Sequence, residues 1–176
     1  MVGEVYLESV YKRFGEYKKL AEKAMEQLSE EELLLQTNEE SNSIAIIIQH
    51  LHGNMLSRWT NFLTEDGEKE WRKRDEEFEA VPFARDEMMR RWEEGWKVLL
   101  QAIKSLSADD LLKHVTIRTQ SHTVIDAINR QMAHYGYHVG QIVYLSKWVR
   151  NGEWKTLSIS KGKSETFNNE MKSSHG

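Results

Sequence analysis

Four long stretches of the sequence repeat apolar residues at every third or fourth position, and this pattern commits most of the chain to helix. In the first stretch these residues are Val10, Phe14, Tyr17 and Ala21. Only one of the 176 residues is proline, so helices can run without interruption. The predicted helices cover about residues 3–28, 42–63, 84–106 and 123–150. The expected fold class is therefore all-α, with four long antiparallel helices and no substantial sheet.

Residues that favour helix starts stand close to the predicted boundaries. The second stretch starts near Asn42 or Ser43, and both are good N-cap residues. Pairs with the spacing of a capping box are Ser29 with Glu32, Ser107 with Asp110, and Thr123 with Asp126. Two of these pairs follow the first and third stretches, so each half of the chain is predicted to be a long helix, a short capped turn and a second long helix. Pro82 predicts the start of the third helix.

The connecting segments carry weaker signals. Residues 64–79 are dense in charge, and we interpret them as a solvated loop that Trp71 and Phe78 attach to the end of the bundle. Val115 and Ile117 alternate with polar residues, which predicts a short extended connection.

The helical pattern ends after Trp154. The residues that follow are rich in Ser, Lys, Gly and Asn, a composition typical of an extended tail with a loose end. The length of the chain suits one domain with one core. We therefore expect a single helical-bundle domain over residues 1–155 and a tail over residues 156–176.

The amino-acid composition indicates the cellular compartment in which the protein is expected to work. The chain has no cysteine, which excludes disulfides, thiolate metal ligands and a cysteine nucleophile, and suits a reducing cytoplasm. Residues 1–28 lack the continuous apolar run of a signal peptide, and the longest apolar run, residues 44–48, is too short to cross a bilayer. We expect a cytoplasmic protein that does not act in a membrane.

The charge pattern argues against nucleic acid as a partner. The formal net charge is −4, and acidic and basic residues are interspersed. The basic cluster at residues 72–74 has acidic residues on both sides, whereas a nucleic-acid-binding protein usually has a concentrated basic face.

Two histidines of the fourth stretch have the spacing of metal ligands. His134 and His138 are four residues apart, so their imidazoles would lie on successive turns of one helix face, which Ile142 and Leu145 continue. Burying two neutral imidazoles is costly unless each polar nitrogen has a partner, and one divalent cation would satisfy both. A pair of hydrogen-bonded core histidines is the alternative, and spacing alone does not decide between them.

A third histidine favours the metal site. His50 lies on the apolar face of the second stretch, whereas His52 is expected on the opposite side and exposed. Three imidazoles with open coordination positions are typical of zinc and also suit nickel or iron. The His-Glu-x-x-His pattern of metalloproteases is missing, so peptidase activity is not expected. The histidines interpreted as surface residues are His114, His122 and His175.

Small residues line another face of the fourth stretch. Ala133, Gly136 and Gly140 are spaced by three and four positions. Each glycine costs about 1 kcal/mol of helix propensity relative to alanine. Close approach of another helix would offset that cost, and this helix would come from the same chain or from a second subunit.

Three segments resemble the DinB/YfiT-like superfamily of metal-binding four-helix bundles, and within it a largely uncharacterised subgroup. These segments are residues 48–54, 58–69 and 131–142. The resemblance covers most of residues 1–155 and implies that His50, His134 and His138 bind one divalent metal ion. It also implies a homodimer. Some characterised relatives are transferases or isomerases that use small bacterial thiols such as bacillithiol or mycothiol.

These observations lead to three hypotheses of function. The first is a metal-dependent S-transferase, whose thiol must come from a cosubstrate because the chain lacks cysteine. Asn54 and Arg58 continue the face of His50 and are the candidate substrate-binding residues, although the sequence favours the interpretation of Arg58 as a surface arginine. The second is a metal-dependent hydrolase, for which no general base stands near the triad in sequence. The third is a non-catalytic protein whose metal ion joins helices, with a fourth protein ligand closing the site.

Overall fold

The computed structural model describes residues 2–80 and 84–174, and helices dominate this part of the chain. The helices are α1 (Val2–Met25), α2 (Glu30–Leu34), α3 (Ile44–Trp59), α4 (Arg85–Ser105), α5 (Val124–Arg150) and α6 (Ser164–Ser174). The strands β1 (His114–Ile117) and β2 (Gln120–Thr123) form one antiparallel hairpin at the predicted extended connection. No helix among these residues combines the length and apolar character needed to cross a membrane. Pro82 and His175 lie outside the described residues, so their predicted roles stay predictions.

The predicted caps at Ser29, Ser43 and Thr123 are confirmed, and the amide of Ser107 donates to the Asp110 carboxylate. The Ser29 hydroxyl accepts the amide hydrogen of Glu32, while the Glu32 carboxylate accepts that of Ser29. The hydroxyl of Thr123 accepts a hydrogen bond from the amide of Asp126, and that of Ser43 caps α3 in the same way. These caps satisfy amide groups that the first helical turn leaves unpaired.

An aromatic cluster joins the four long helices at their shared core. The ring of Phe14 from α1 lies 6.2 Å from that of Trp59, 6.5 Å from that of Trp96 and 5.9 Å from that of Tyr135. The Trp59 indole also donates a hydrogen bond of 3.0 Å to the Tyr135 hydroxyl, which donates one of 2.8 Å to Asn54. Because all these rings are almost completely buried, they hold α3 and α5 in a defined relation.

The second long helix ends four residues earlier than predicted. Thr60 leaves the helical conformation and Asn61 has a φ of 50°, a region that asparagine tolerates better than most residues. The chain then turns back along α3. The Ser57 hydroxyl donates to the carbonyl of Gly67 (2.7 Å) and accepts from the amide of Lys69 (3.1 Å).

Because the chain folds back along α3, the interpretation of residues 64–79 as a solvated loop is corrected. Within the segment a single 3-10 turn spans Asp75–Phe78 and packs on α3, and Glu77 is buried. Trp71, which was expected to attach the segment, is 57% exposed. The segment is therefore a surface connection that is not solvated throughout, because Gly67, Lys69 and Glu77 are buried.

The small-residue stripe on α5 is used only in part within the chain. A Cβ atom on Gly136 would lie 3.2 Å from the hydroxyl oxygen of Tyr17, so this glycine leaves room for the Tyr17 side chain of α1. A Cβ atom on Gly140 would meet nothing within 4 Å, and Ala133 is exposed.

The expected extended tail is wrong over Ser164–Ser174, which form α6. Glu165 in its first turn and Lys172 in its last turn complement the helix dipole. Phe167 and Met171 are neighbours on one face at a spacing of four residues. Every residue of α6 is exposed, so this helix does not contribute to the core.

Candidate metal centre

The three predicted histidines meet inside the protein. His50 comes from α3, and His134 and His138 come from successive turns of α5. The Nε2 atom of His134 lies 3.2 Å from that of His50 and 3.1 Å from that of His138. His50 and His138 are buried and His134 is half-buried. Among the described residues, these three form a group whose ligand atoms could hold one metal ion.

The opposite ring nitrogens of two histidines are held by acceptors. Nδ1 of His50 lies 2.9 Å from Oε2 of Glu77, and Nδ1 of His138 lies 2.9 Å from Oε1 of Gln141. Carboxylate and amide oxygens accept hydrogen bonds, so both Nδ1 atoms carry the proton. In the neutral rings, the Nε2 atoms of His50 and His138 therefore present lone pairs to His134.

This arrangement fits a divalent cation better than it fits a hydrogen-bonded cluster. The Nε2 atom of His134 has at most one proton to direct at two lone pairs. A cation satisfies all three nitrogens at once. Ligand nitrogens around a tetrahedral ion with bonds of about 2.05 Å are about 3.3 Å apart, which is close to the separations found here.

Glu77 orients His50 and is itself fixed by Arg72. Nε of Arg72 donates to Oε1 of Glu77 (2.7 Å), and Nη2 donates to Oε2 (2.9 Å). Burial acts to raise the pKa of Glu77, but the hydrogen bonds from Arg72 and His50 outweigh it and hold the pKa below its ordinary value. An ionised carboxylate that accepts from a ligand histidine is a frequent partner in metal sites.

Gly53 leaves the space that Glu77 occupies. A Cβ atom at this position of α3 would overlap Oε1 of Glu77. Because Arg72 and His50 both hold the carboxylate, it could not yield without losing one of these contacts. Glycine at this position therefore has a local structural reason despite its cost in helix propensity.

The two histidines of α5 are neutral at physiological pH. Burial lowers the pKa of His134 to about 3, with further contributions from the neighbouring His138 and His50. Burial likewise lowers the pKa of His138 to about 4, with His50 as the next cause. Neutral imidazoles are the form that binds a metal ion.

A cavity of about 180 Å³ adjoins the triad at His134. Its polar lining includes Asn54, Gln131 and His134, and its arginines are Arg58, Arg72, Arg74, Arg118 and Arg130. The structure thus places both expected substrate-binding residues, Asn54 and Arg58, beside a histidine of the triad. Arg58 is only 5% exposed, so its interpretation as a surface arginine is wrong.

Several site residues were not predicted. Glu77 lies in a run of charged residues that looks solvated, and Arg72 belongs to the basic cluster. Phe78 packs on His50, with ring centroids 4.8 Å apart, instead of only attaching a loop. The spacing of three residues between His138 and Gln141 on one helix was the available signal for a partner of Nδ1.

The remaining described histidines lie apart from the triad. His52 pairs with Glu94 of α4 at 3.0 Å and is half-buried instead of exposed. His122 pairs with Asp126 at 2.6 Å and is also half-buried, which corrects its interpretation as a surface residue. His114 is exposed, as predicted.

Comparison with known families places the chain in one of them. Residues 1–163 match the family described as "Protein of unknown function (DUF1572)", and the chain therefore belongs to this family. The match includes all three histidines and ends immediately before α6. No curated protein matches the sequence.

Proposed function

We propose that this member of the DUF1572 family binds one divalent metal ion through His50, His134 and His138 and uses it to transfer a low-molecular-weight thiol. The observation that carries the proposal is the convergence of three Nε2 atoms, with separations of 3.1 and 3.2 Å, while the Nδ1 protons of two rings are held elsewhere. Three imidazole ligands suit zinc, nickel or iron.

The arrangement of helices supports a place in the DinB/YfiT-like superfamily. We propose that α1, α3, α4 and α5 form a four-helix bundle of that type, because each of these helices packs on two of the others. The ligands come from the second and fourth of these long helices, as the resemblance implies. In this proposal residues 1–155 form the metal-binding domain and α6 is an appendage.

The residues of the chain would position both reactants. Bound at the triad, the ion would lower the pKa of a thiol, whose sulfur could then bond to an electrophilic carbon as its proton passes to water and the leaving group departs. The thiol comes from a cosubstrate because the chain has no cysteine. Glu77 and Gln141 hold their histidines in the ligating tautomer. Asn54 and Arg58 would bind the polar part of the cosubstrate in the adjoining cavity.

The geometry gives less support to the alternatives. A metal ion that only joins helices is expected to have a fourth protein ligand. Among the described residues, the candidate ligands are the three histidines of the triad, and His134 borders a cavity. Hydrolysis needs a general base near the ion. Glu77 is the buried carboxylate beside the triad, and it is already held by Arg72 and His50.

A thiol-conjugation assay tests the proposal. The metal-loaded protein is incubated with an aryl halide and, in turn, with bacillithiol, mycothiol or cysteine, and loss of free thiol is followed. We expect acceleration with at least one thiol, its loss in His138→Ala and its retention in His52→Ala, because His52 lies outside the triad. Equal rates for the parent protein and His138→Ala would refute the proposed mechanism.

A further inference from the structure

The cavity beside His134 carries more positive charge than its surroundings neutralise. Glu68 accepts hydrogen bonds from Arg58 and from Arg118, both at 3.1 Å. Glu77 neutralises Arg72, and Arg74 lies 3.8 Å from the exposed Asp75. Asp66 adds a fourth negative charge near Arg58, so four carboxylates face the five arginines that line the cavity.

Arg130 is the clearest source of the excess charge. It forms no ion pair with any residue of the two described ranges, 2–80 and 84–174. It lies one helical turn before His134 on α5 and lines the same cavity. Arg130 is an exposed residue, so its charge remains available to a ligand.

Three buried polar atoms next to the cavity also lack a partner. They are Nε of Arg58, Oε1 of Gln131 and Nδ1 of His134. Arg58 and Gln131 are 5% and 4% exposed, and all three side chains line the cavity. When Nε2 of His134 faces a metal ion, Nδ1 carries a proton and needs an acceptor, as does Nε of Arg58. Rotating the Gln131 amide by 180° would turn its nitrogen into a third donor.

We propose that this cavity is a binding site for a small group with two negative charges, either a phosphate monoester or a dicarboxylate. Guanidinium groups match the geometry of both, because their N–H groups can donate in pairs. The cavity volume of about 180 Å³ corresponds to roughly six water molecules, which suits one small anionic group. Unpaired buried donors are costly, and the anion would supply their acceptors.

Anion binding would also matter for the proposed reaction. Its link to thiol transfer rests on the proposed function: the anion would be the charged part of the thiol cosubstrate or of its acceptor, held next to His134. The arginines and Gln131 of the cavity could hold the anion without the metal ion, and His134 would add a donor once the ion is bound. Metal content and anion affinity are therefore measured separately, so that the two proposals can fail independently.

Calorimetric titration of the metal-loaded protein with inorganic phosphate and with succinate tests this site. Both titrations are run at low ionic strength, with potassium chloride as the control for general screening. We expect saturable binding of at least one anion. The anion that binds more tightly shows whether the site prefers a phosphate group or a dicarboxylate. Arg130→Gln should weaken that binding about tenfold or more, because it removes a charged donor.

Arg90→Gln is the matched control. Arg90 is an exposed arginine of α4 that pairs with Glu87 and does not line the cavity, so this variant should bind the anion within about twofold of the parent protein. Both variants should retain the metal ion. An absence of saturable binding overturns the inference whether or not the protein holds a metal ion, and so does equal weakening by the two substitutions.

Discussion

Nδ1 of His50 lies 2.9 Å from Oε2 of Glu77, and this contact joins the second long helix to the charged segment that folds back over it. The pKa of Glu77 is held below its ordinary value, since Arg72 and His50 outweigh the effect of burial, so the carboxylate is ionised and can only accept. The ionised carboxylate of Glu77 therefore determines which nitrogen of His50 is free to bind metal.

Gly53→Ala tests whether this contact supports metal binding. The added methyl group would overlap Oε1 of Glu77 and displace the carboxylate from His50. We expect metal affinity to fall about tenfold or more, as is common when the partner of a ligand histidine is lost. Glu77→Gln should lower the affinity similarly. Affinity is measured by competition with a chelator of known strength.

Gly140→Ala is the control for the added methyl group. A Cβ atom on Gly140 meets nothing within 4 Å, so this variant should bind metal normally. It should also gain up to about 1 kcal/mol in the free energy of unfolding from helix propensity. If Gly53→Ala binds metal as tightly as Gly140→Ala, Glu77 does not position His50.

Tyr135→Phe tests the hydrogen bonds that cross the core beneath the site. The substitution leaves the Trp59 indole without its acceptor and Asn54 without its donor. Both are buried, so we expect a loss of about 1–3 kcal/mol in the free energy of unfolding. Tyr137→Phe is the control, since Tyr137 is 54% exposed. Urea unfolding measures both, and equal stabilities would show that this network contributes nothing.

The metal-free protein should lose stability in acid. Burial lowers the pKa of His134 to about 3 and that of His138 to about 4, whereas in the unfolded chain both are near 6.5. The unfolded state therefore binds more protons below about pH 6.5, and folding stability falls as the pH drops from there towards about 3–4. Urea unfolding across this range, after removal of metal with a chelator, measures the loss.

Other groups also titrate in that range, so a variant isolates the contribution of the two histidines. Replacing both with glutamine should flatten the dependence of the unfolding free energy on pH between about 6.5 and 4. An identical slope in the parent protein and the double variant would contradict the assignment of lowered pKa values.

The three candidate metal ligands could be predicted from the sequence because the pattern that identifies them lies within single helices. Helical spacing alone brings His134 and His138 to one face, and the apolar pattern orients His50 towards them. Glu77 could not be predicted in this way. Its burial depends on hydrogen bonds between Ser57 and residues ten and twelve positions later in the chain, and its neighbours are as charged as those of a solvated segment.

A homodimer is the expected assembly, as the family resemblance implies. Gly136 packs against the Tyr17 side chain, but Gly140 faces open space. Tyr144 and Trp148 on α5 are 69% and 54% exposed. Exposed apolar side chains are typical of interaction surfaces when they cluster. Light scattering at micromolar concentration should give twice the chain mass of 20.7 kDa, and the monomer mass would contradict the expectation.

Metal content of four single variants tests the central claim most directly. Elemental analysis and titration of the parent protein should give one divalent ion per chain. Because the Nε2 atoms converge, removing His50, His134 or His138 by substitution with alanine should weaken binding sharply. His52→Ala should leave it nearly unchanged, since His52 pairs with Glu94 instead. Loss of the metal in His52→Ala together with its retention in His50→Ala would contradict the account.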